Sequence, residues 1–268
     1  MTDTAHPKAP RRLTLFLLRL GVLVALLLVW HLGGVYGFLD PFFFATPLDV
    51  IGRTLHDLGT ADLYRHLWVT TIETLLAFVI GTVGGIAIGF WLGLAPRASL
   101  VLDPYIKAAN ALPRVVLAPI FALWLGLGIW SKVALGVSLV FFIVFFNVYQ
   151  GIKEVSPVVL ANARMLGASR RQLLTSVYLP SALSWVFSSL HTAVGFALVG
   201  AVVGEYLGSA AGLGYRIHQA EGVFDTVGVF SGMLILTVFV IAVDAIVSLV
   251  EARYLVWRPG TGGRPDAA

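Results

Sequence analysis

The chain has 268 residues, of which 58% are hydrophobic and only 12% are charged. Soluble proteins carry about 25% charged residues, so this composition excludes an ordinary soluble domain and indicates a helical membrane protein. The sequence contains no cysteine, which excludes disulfides, thiolate metal sites and cysteine nucleophiles. The formal net charge is +4, but the basic residues form no continuous stripe, which argues against a nucleic-acid partner.

The chain begins with a polar segment, residues 1–12, in which Lys8 and Arg11 precede an apolar run over residues 13–32. This run is longer than the apolar part of a secretory signal peptide, and no small-x-small cleavage pattern follows it. The sequence therefore predicts an uncleaved first membrane span. A polar, surface-lying connection is predicted over residues 37–66.

Five more apolar runs follow, and about 20 helical residues are needed to cross the hydrocarbon core of a bilayer. The six predicted spans cover residues 13–32, 67–94, 115–127, 133–149, 182–207 and 227–250. The third is short or broken and follows a basic, proline-flanked connection. The predicted fold class is an all-α, polytopic membrane protein with about six transmembrane helices. Its transmembrane domain covers residues 13–257, between an N-terminal tail (residues 1–12) and a C-terminal tail (residues 258–268).

Glycines repeat every four residues in two of the predicted spans. The second span carries Gly81, Gly85, Gly89 and Gly93, and the same spacing recurs at Gly200, Gly204 and Gly208. Such a stripe removes side chains from one face of a helix and lets another helix approach closely.

The distribution of basic residues predicts the orientation in the membrane, because Lys and Arg are retained on the cytoplasmic side. With the N-terminus inside, the basic residues of the inner face are Lys8, Arg11, Arg12, Arg97, Lys107, Arg114, Lys153, Arg164, Arg170, Arg171, Arg253, Arg258 and Arg264. The outer face keeps Arg53, Arg65, Lys132 and Arg216. Both termini are therefore predicted to be cytoplasmic.

The polar segment over residues 156–180 is predicted to be a bent pair of short helices, called here the hairpin. Ser156 and Pro157 suit the start of the first helix, and Gly167 suits its end. Ser169 suits the cap of the second helix, and Pro180 marks the junction with the fifth span. Small residues beside basic ones favour either a docking surface for another protein or a connection that is helical for local reasons.

The hairpin resembles the cytoplasmic coupling motif of bacterial ABC importer permeases, which reads Glu-Ala-Ala, three residues, Gly, nine residues, Ile-x-Leu-Pro. Gly167, Leu179 and Pro180 match that spacing, while Ala161 and Asn162 replace the acidic residue and the first alanine. The resemblance is strongest to the nitrate, sulfonate and taurine subfamily, through the stretches Pro47-Leu48-Asp49-Val50, Ala109-Asn110-Ala111-Leu112-Pro113, Leu117-Ala118-Pro119, Trp124-Leu125-Gly126-Leu127-Gly128 and Leu166-Gly167-Ala168-Ser169.

The resemblance implies a type I importer transmembrane fold in the bacterial inner membrane and a set of partners. These are a second permease copy, two cytoplasmic ATP-binding subunits and a periplasmic solute-binding protein. It also implies import of a small, often anionic solute such as nitrate, a sulfonate or taurine by alternating access. The residues implied to couple the ATPase are Ala161, Asn162, Ala163, Arg164, Gly167, Ala168, Ser169, Leu179 and Pro180.

Nucleotide and metal motifs are missing from the sequence. The phosphate-binding pattern Gly-x-x-x-x-Gly-Lys-Ser/Thr is absent, since no lysine follows a glycine. No His-Glu-x-x-His pattern occurs either. We therefore expect no cofactor or metal on this chain and no ATPase activity of its own, with ATP and magnesium used by the partner subunits.

Polar residues within the spans are the candidates for a solute pathway, because a polar group facing lipid is costly. They include Glu73, Asn110, Asn147, His191 and Thr192, and for each a helix–helix hydrogen bond is the simpler alternative. His191 has no second histidine or carboxylate at metal-ligand spacing. Asp244 is expected to pair with a nearby basic group.

Glu205, with Gly212 and Gly214, is a candidate contact for the periplasmic binding protein. Glu205 is equally suited to cap a helix of the outer connection, and the two glycines suit a turn.

Two other classes of protein compete with the importer permease. An ion-coupled secondary transporter would favour buried ionisable residues near the bilayer midplane and broken helices, and few such residues are evident in the sequence. A membrane enzyme would need a cluster of His, Asp or Lys at one membrane face, and no such cluster is evident.

Overall fold

A computed structural model describes residues 12–40 and 42–254 of the chain, and the part of the sequence so described contains helices and no strand. The helices are α1 (Arg12–Val35), α2 (Pro47–Leu58), α3 (Ala61–Leu94), α4 (Pro96–Ala111), α5 (Ala118–Leu125), α6 (Ile129–Lys153), α7 (Pro157–Met165), α8 (Arg170–Leu173), α9 (Leu179–Leu207), α10 (Leu213–Gly222) and α11 (Thr226–Tyr254). A 3₁₀ turn, Arg114–Leu117, precedes α5, and a π-helical turn, Leu174–Tyr178, joins α8 to α9. The predicted tails, residues 1–12 and 258–268, lie almost wholly outside the described residues.

Five helices of the described chain are long and apolar enough to cross a membrane, namely α1, α3, α6, α9 and α11. A sixth crossing is available from α4 together with the segment Arg114–Leu125, two helical pieces bent by 83°. The all-α fold class is thereby confirmed, and the third span is broken, as the sequence predicted.

The prediction of a mere connection over residues 97–114 is wrong, because most of it is helix α4. Two prolines suggested a loop, but Pro96 occupies the first turn, where its missing N–H leaves no bond unmade. Pro104 is accommodated inside α4, and only Leu112 and Pro113 leave the helical conformation.

The predicted polar connection over residues 37–66 contains α2 and the first turns of α3. Thr46 caps α2 by accepting a hydrogen bond from the backbone N–H of Asp49, at 3.3 Å, and Pro47 fills the first helical position. α2 packs against α11, where the hydroxyls of Thr54 and Ser231 lie 3.0 Å apart.

The core of the bundle is formed by α3, α6 and α9. Gly81, Gly85 and Gly89 of α3 lie against α6, and a Cβ added at Gly85 would meet the carbonyl oxygen of Phe141 at 2.9 Å. Gly200 of α9 lies directly against Gly136 of α6. The close helix approach predicted from the glycine stripe of α3 is therefore confirmed. The small valine and alanine side chains between these helices are fully buried.

Helix α1 stands apart from this core. Its described side chains are almost all exposed, and its contacts include α2 and, through Trp30, the Phe230 ring of α11 at 5.6 Å. An apolar helix with so little protein cover is suited to lipid, which agrees with the prediction of a first membrane span here.

Candidate functional site

Two groups of polar residues lie at opposite ends of the 29-residue helix α9. The hairpin, residues 156–180, precedes its N-terminus. A buried polar cluster, made by His66, Thr70, Glu73, Lys132 and Glu205, surrounds its C-terminal part.

The hairpin has the bent shape that the sequence predicted. Pro157 opens α7, and Gly167 lies at the corner with a φ of +81°, a left-handed conformation that favours glycine. Ser169 starts α8 with a capping box, in which the Ser169 hydroxyl accepts from the Gln172 N–H and the Gln172 side chain accepts from the Ser169 N–H. The corner is therefore fixed by local hydrogen bonds.

Two large apolar side chains stand exposed at this corner. Met165 is 79% exposed and Leu166 is 89% exposed, beside the exposed basic residues Arg164, Arg170 and Arg171. Of the residues implied to couple an ATPase, Ala163 and Ala168 are half-buried and the remaining seven are exposed. A locally rigid corner with an apolar tip and a basic rim is suited to insertion into a groove of another protein.

The buried polar cluster holds the start of α10. Backbone N–H groups of three successive residues each donate to a different side chain: Gly212 to Nδ1 of His66 at 2.9 Å, Leu213 to the Thr70 hydroxyl at 3.0 Å, and Gly214 to the Glu205 carboxylate at 2.7 Å. The first N–H groups of a helix have no partner within it, so these side chains supply the acceptors.

Glu205 is the centre of the cluster and is fully buried. Its second oxygen accepts from the Thr70 hydroxyl at 2.6 Å. Glu73, also buried, lies beside it, and Lys132 is near enough to interact electrostatically with both carboxyl groups. Of the two roles that the sequence left open for Glu205, the structure places it as a helix cap, with no exposed surface to offer a partner.

Close packing explains why Gly212 and Gly214 stand in the connection between α9 and α10. Gly212 has a φ of +111°, and a Cβ added there would meet the Glu205 carboxyl group. A Cβ at Gly214 would meet the backbone carbonyl of Val202. Both glycines are buried, so they position α10 and are not themselves exposed for contact.

Lys132 and His66 were missed as site residues from the sequence. Lys132 was assigned to an outer connection, but it is 1% exposed, and its ammonium group donates to the carbonyls of Leu127 at 2.6 Å and Gly128 at 3.0 Å. His66 was placed at the end of a polar connection, yet it is 5% exposed within α3. Of the cluster, only Glu73 and Glu205 were candidates from the sequence.

A charged cavity of about 660 Å³ opens beside α10. Asp57, 6% exposed, forms ion pairs there with Arg216 at 2.9 Å and with Arg53 at 3.3 Å. Arg53 also lies 3.6 Å from Asp225. This concave, charged surface and the buried cluster share helix α10 as their common wall.

The candidate pathway residues lie in several different parts of the fold and do not form one site. Glu73 belongs to the buried polar cluster, and the Asn147 amide donates to the backbone of its own helix, to Ile143 at 2.8 Å. His191 and Thr192 line a cavity between α9 and α11 of about 450 Å³. The expectation that Asp244 pairs with a basic group is met by His191, at 2.9 Å, a carboxylate partner that the sequence did not reveal.

Asn110 lies at the break between α4 and the 3₁₀ turn, where its side-chain oxygen accepts from Arg114 at 2.7 Å. The Arg114 guanidinium lies 4.4 Å from the centre of the Phe142 ring, near the middle of α6. Arg114 therefore lies beside the middle of α6, beyond the bend of 83° between α4 and the segment Arg114–Leu125, and not beside the Lys153 end of α6.

Comparison with known proteins identifies the class. Residues 81–256 match the family model described as the inner membrane component of binding-protein-dependent transport systems. The chain belongs to this family and is the membrane-spanning permease subunit of an ABC importer. Such a permease works with an ATPase and a solute-binding protein, and the apolar helices make it a multi-pass membrane protein. An ion-coupled secondary transporter is not favoured.

The sequence relatives are permeases of small-solute importers. The chain is 33% identical to the formylaminopyrimidine transport permease protein ThiX of Halalkalibacterium halodurans, over 87% of this chain and 92% of the relative. It is 31% identical to a putative aliphatic sulfonates transport permease, SsuC, of Bacillus subtilis, over 86% of this chain and 83% of the relative. Identity to the taurine transport system permease TauC of Escherichia coli is 28%, over 90% of this chain and 89% of the relative.

Solved structures share the fold. The MetNI methionine ABC transporter in an inward-facing conformation gives a TM-score of 0.61 at 16% identity, covering 71% of this chain and 95% of that one. An amino acid ABC transporter crystallised with histidines gives 0.58 at 20% identity, covering 77% of this chain and 97% of that one. The type I importer fold predicted from the resemblance is therefore confirmed.

Proposed function

We propose that this permease imports a small anionic solute, such as a sulfonate or taurine, by alternating access, and that its hairpin transmits the movement of a partner ATPase. The exposed apolar corner at Met165 and Leu166 carries the second part of this proposal. The relatives SsuC and TauC support the solute class, since they are permeases for sulfonates and taurine.

The hairpin is suited to transmission because it continues into the bundle without a flexible joint. α8 passes through the π-helical turn directly into α9, whose buried face packs on α3 and α6. The Ser181 hydroxyl also donates to the carbonyl of Gly151 at 2.8 Å, linking the start of α9 to the end of α6. A push on the corner would therefore move these two helices together.

The proposed assembly contains two copies of this permease, two cytoplasmic ATP-binding subunits that use ATP and magnesium, and one periplasmic solute-binding protein. Both termini and the hairpin face the cytoplasm, as the basic residues indicate. The charged cavity and α10 then face the periplasm, where the binding protein docks.

Docking of the ATPase is tested by the substitution Leu166→Arg. The side chain is 89% exposed, so the chain is expected to keep its thermal stability while losing the apolar tip that enters the ATPase groove. Co-purification of the ATPase encoded beside this chain, measured against the permease in one tagged preparation, is expected to fall by about tenfold or more.

Phe38→Arg is the matched control, because Phe38 is 86% exposed and lies beyond α1, away from the hairpin. The control is expected to retain the ATPase. Equal recovery of the ATPase with Leu166→Arg and wild type would refute the docking role. ATP-independent uptake by a chain that never holds an ATPase would refute the importer assignment itself.

The proposed orientation is tested by cysteine labelling, for which a chain without native cysteine needs no background removal. His56→Cys, whose native side chain is 75% exposed, is expected to react with an impermeant maleimide in intact cells whose outer membrane is permeabilised. Arg171→Cys, in the exposed part of the hairpin, is expected to react only after the inner membrane is opened. The reverse pattern would invert the proposed topology.

A further inference from the structure

Arg114 lies at a depth where a charged side chain is costly. Its guanidinium stacks on Phe142, which lies near the middle of the 25-residue helix α6. At 1.5 Å per residue, Phe142 is roughly 18 Å from either end of that helix. An ionised side chain at this depth has to face protein or water, because lipid solvates it poorly.

The contacts of Arg114 leave most of its hydrogen-bonding capacity unused. Its Nη2 atom donates to the side-chain oxygen of Asn110 at 2.7 Å and to the Asn110 carbonyl at 3.2 Å. A guanidinium has five N–H donors in a planar fork. Among the residues that the structure describes, no carboxylate pairs with it, so none of them neutralises its charge.

Arg114 lies directly after a break in the third span. The non-helical backbone at Leu112 and Pro113 interrupts the bent span, and such a break is tolerated at membrane depth only against protein or a water-filled space. Leu112 is 54% exposed and Val116 is 64% exposed on this chain. In the proposed dimer this exposed face is available to line the space between the two copies.

We infer that Arg114, oriented by Asn110 and Phe142, is an anion-binding subsite of the translocation pathway, suited to the sulfonate group of a small solute. The remaining N–H groups of the guanidinium fork match two oxygens of such a group, and Arg binds them in a bidentate way where Lys cannot. A single cation is also weak enough to release its ligand, which conduction requires. This inference rests on the proposed function and specifies where inside the membrane its solute is recognised.

The test uses trifluoromethanesulfonate as a probe and follows its ¹⁹F line width by NMR, with the full-length permease purified together with its ATPase. The wild type is expected to broaden the line, and methanesulfonate is expected to reverse the broadening. Dimethyl sulfone, a neutral analogue of similar shape, is expected to leave it unchanged. Arg114→Gln is expected to weaken the binding by about tenfold or more, since a hydrogen-bonded charge is lost.

Two further variants separate a binding role from a folding role. Arg114→Lys keeps the charge without the planar fork and is expected to bind at an intermediate level. Arg97→Gln removes the same charge from the exposed start of α4 and is expected to bind as the wild type does. Broadening that persists in Arg114→Gln, is absent from the wild type, or is reversed equally by dimethyl sulfone overturns the inference.

The same preparations report separately on the proposed function. If every variant retains the ATPase and Arg114→Gln still broadens the line as the wild type does, the anion-binding subsite at Arg114 is refuted and the proposed importer function is not. Failure of the wild type to hold an ATPase would count against the proposed function, while the line widths would still decide the role of Arg114.

Discussion

Replacing Gly200 by alanine is expected to destabilise the helix bundle strongly. The Cβ of the new side chain would meet the Cα of Gly136 and, at 2.8 Å, the backbone nitrogen of the same residue. Both are backbone atoms, so no side chain can rotate away and α9 has to move from α6. Overpacking of a core costs typically 1–3 kcal/mol, and we expect about 3 kcal/mol here. The measurement is thermal aggregation of the purified permease, followed by size-exclusion chromatography.

Gly195 provides a matched control on the same helix. A Cβ added there meets no atom within 4 Å, and alanine is the better helix former. Gly195→Ala is therefore expected to melt at or above the temperature of the wild type. If the two variants melted together, close approach of α9 and α6 would not be what stabilises the bundle.

The parts of this structure that could be predicted from sequence are those encoded by local patterns. The four-residue spacing of glycines in α3 indicates a close helix contact, because one face of the helix lacks side chains. The bent shape of the hairpin could also be predicted from the sequence. Pro157, Gly167 and Ser169 each have a local conformational preference that agrees with the position they occupy. No distant partner is needed for either prediction.

The buried polar cluster could not be predicted in this way, because its contacts join distant parts of the chain. The bond between His66 and Gly212 spans 146 residues, and the bond between Thr70 and Glu205 spans 135. Lys132 has the sequence context of an ordinary basic residue in a loop. Its burial depends on Gly204, which leaves room for it on α9, and on two carbonyls of the preceding turn.

The position of Arg114 was also beyond what the sequence pattern could predict. Counting basic residues assigns each one to a membrane face, which assumes that the spans are straight. The bend of 83° in the third span breaks this assumption and places a basic residue beside the middle of α6. The competing class of secondary transporters was disfavoured partly because few buried ionisable residues were evident in the sequence, yet Glu73, Lys132 and Glu205 are all buried. What decides between the two classes is the family match, since either class can bury charges.

The cluster and the hairpin are held by the same helix, so events at one end of α9 have a physical route to the other. Glu205 lies near the C-terminus of α9 and the hairpin precedes its N-terminus. Between them α9 packs closely on α3 and α6, with Gly200 directly against Gly136 and the Trp185 side chain against Gly151. Closely fitted contacts of this kind favour movement of helices as units.

Replacing Glu205 by alanine is expected to release α10 while leaving the hairpin able to bind its ATPase. The change removes the acceptors for the Gly214 N–H and the Thr70 hydroxyl and leaves Lys132 with one fewer buried counter-charge. An unsatisfied buried polar group costs about 1–3 kcal/mol, and we expect about 3 kcal/mol in total. Hydrogen–deuterium exchange of residues 212–222 measures the release, with faster exchange expected in the variant.

The function of the complex gives a second readout for Glu205→Ala. If α10 receives the binding protein, stimulation of ATP hydrolysis by that protein is expected to fall, while the amount of ATPase that co-purifies stays unchanged because the hairpin is a 29-residue helix away. Glu154→Ala is the control, since Glu154 is exposed at the other end of the bundle. Glu205→Gln is expected to be intermediate, because its amide oxygen still accepts from Gly214 but carries no charge. Protection of α10 at the wild-type level in Glu205→Ala would show that the carboxylate does not hold this helix, and the route from α10 to the hairpin would then have to begin elsewhere.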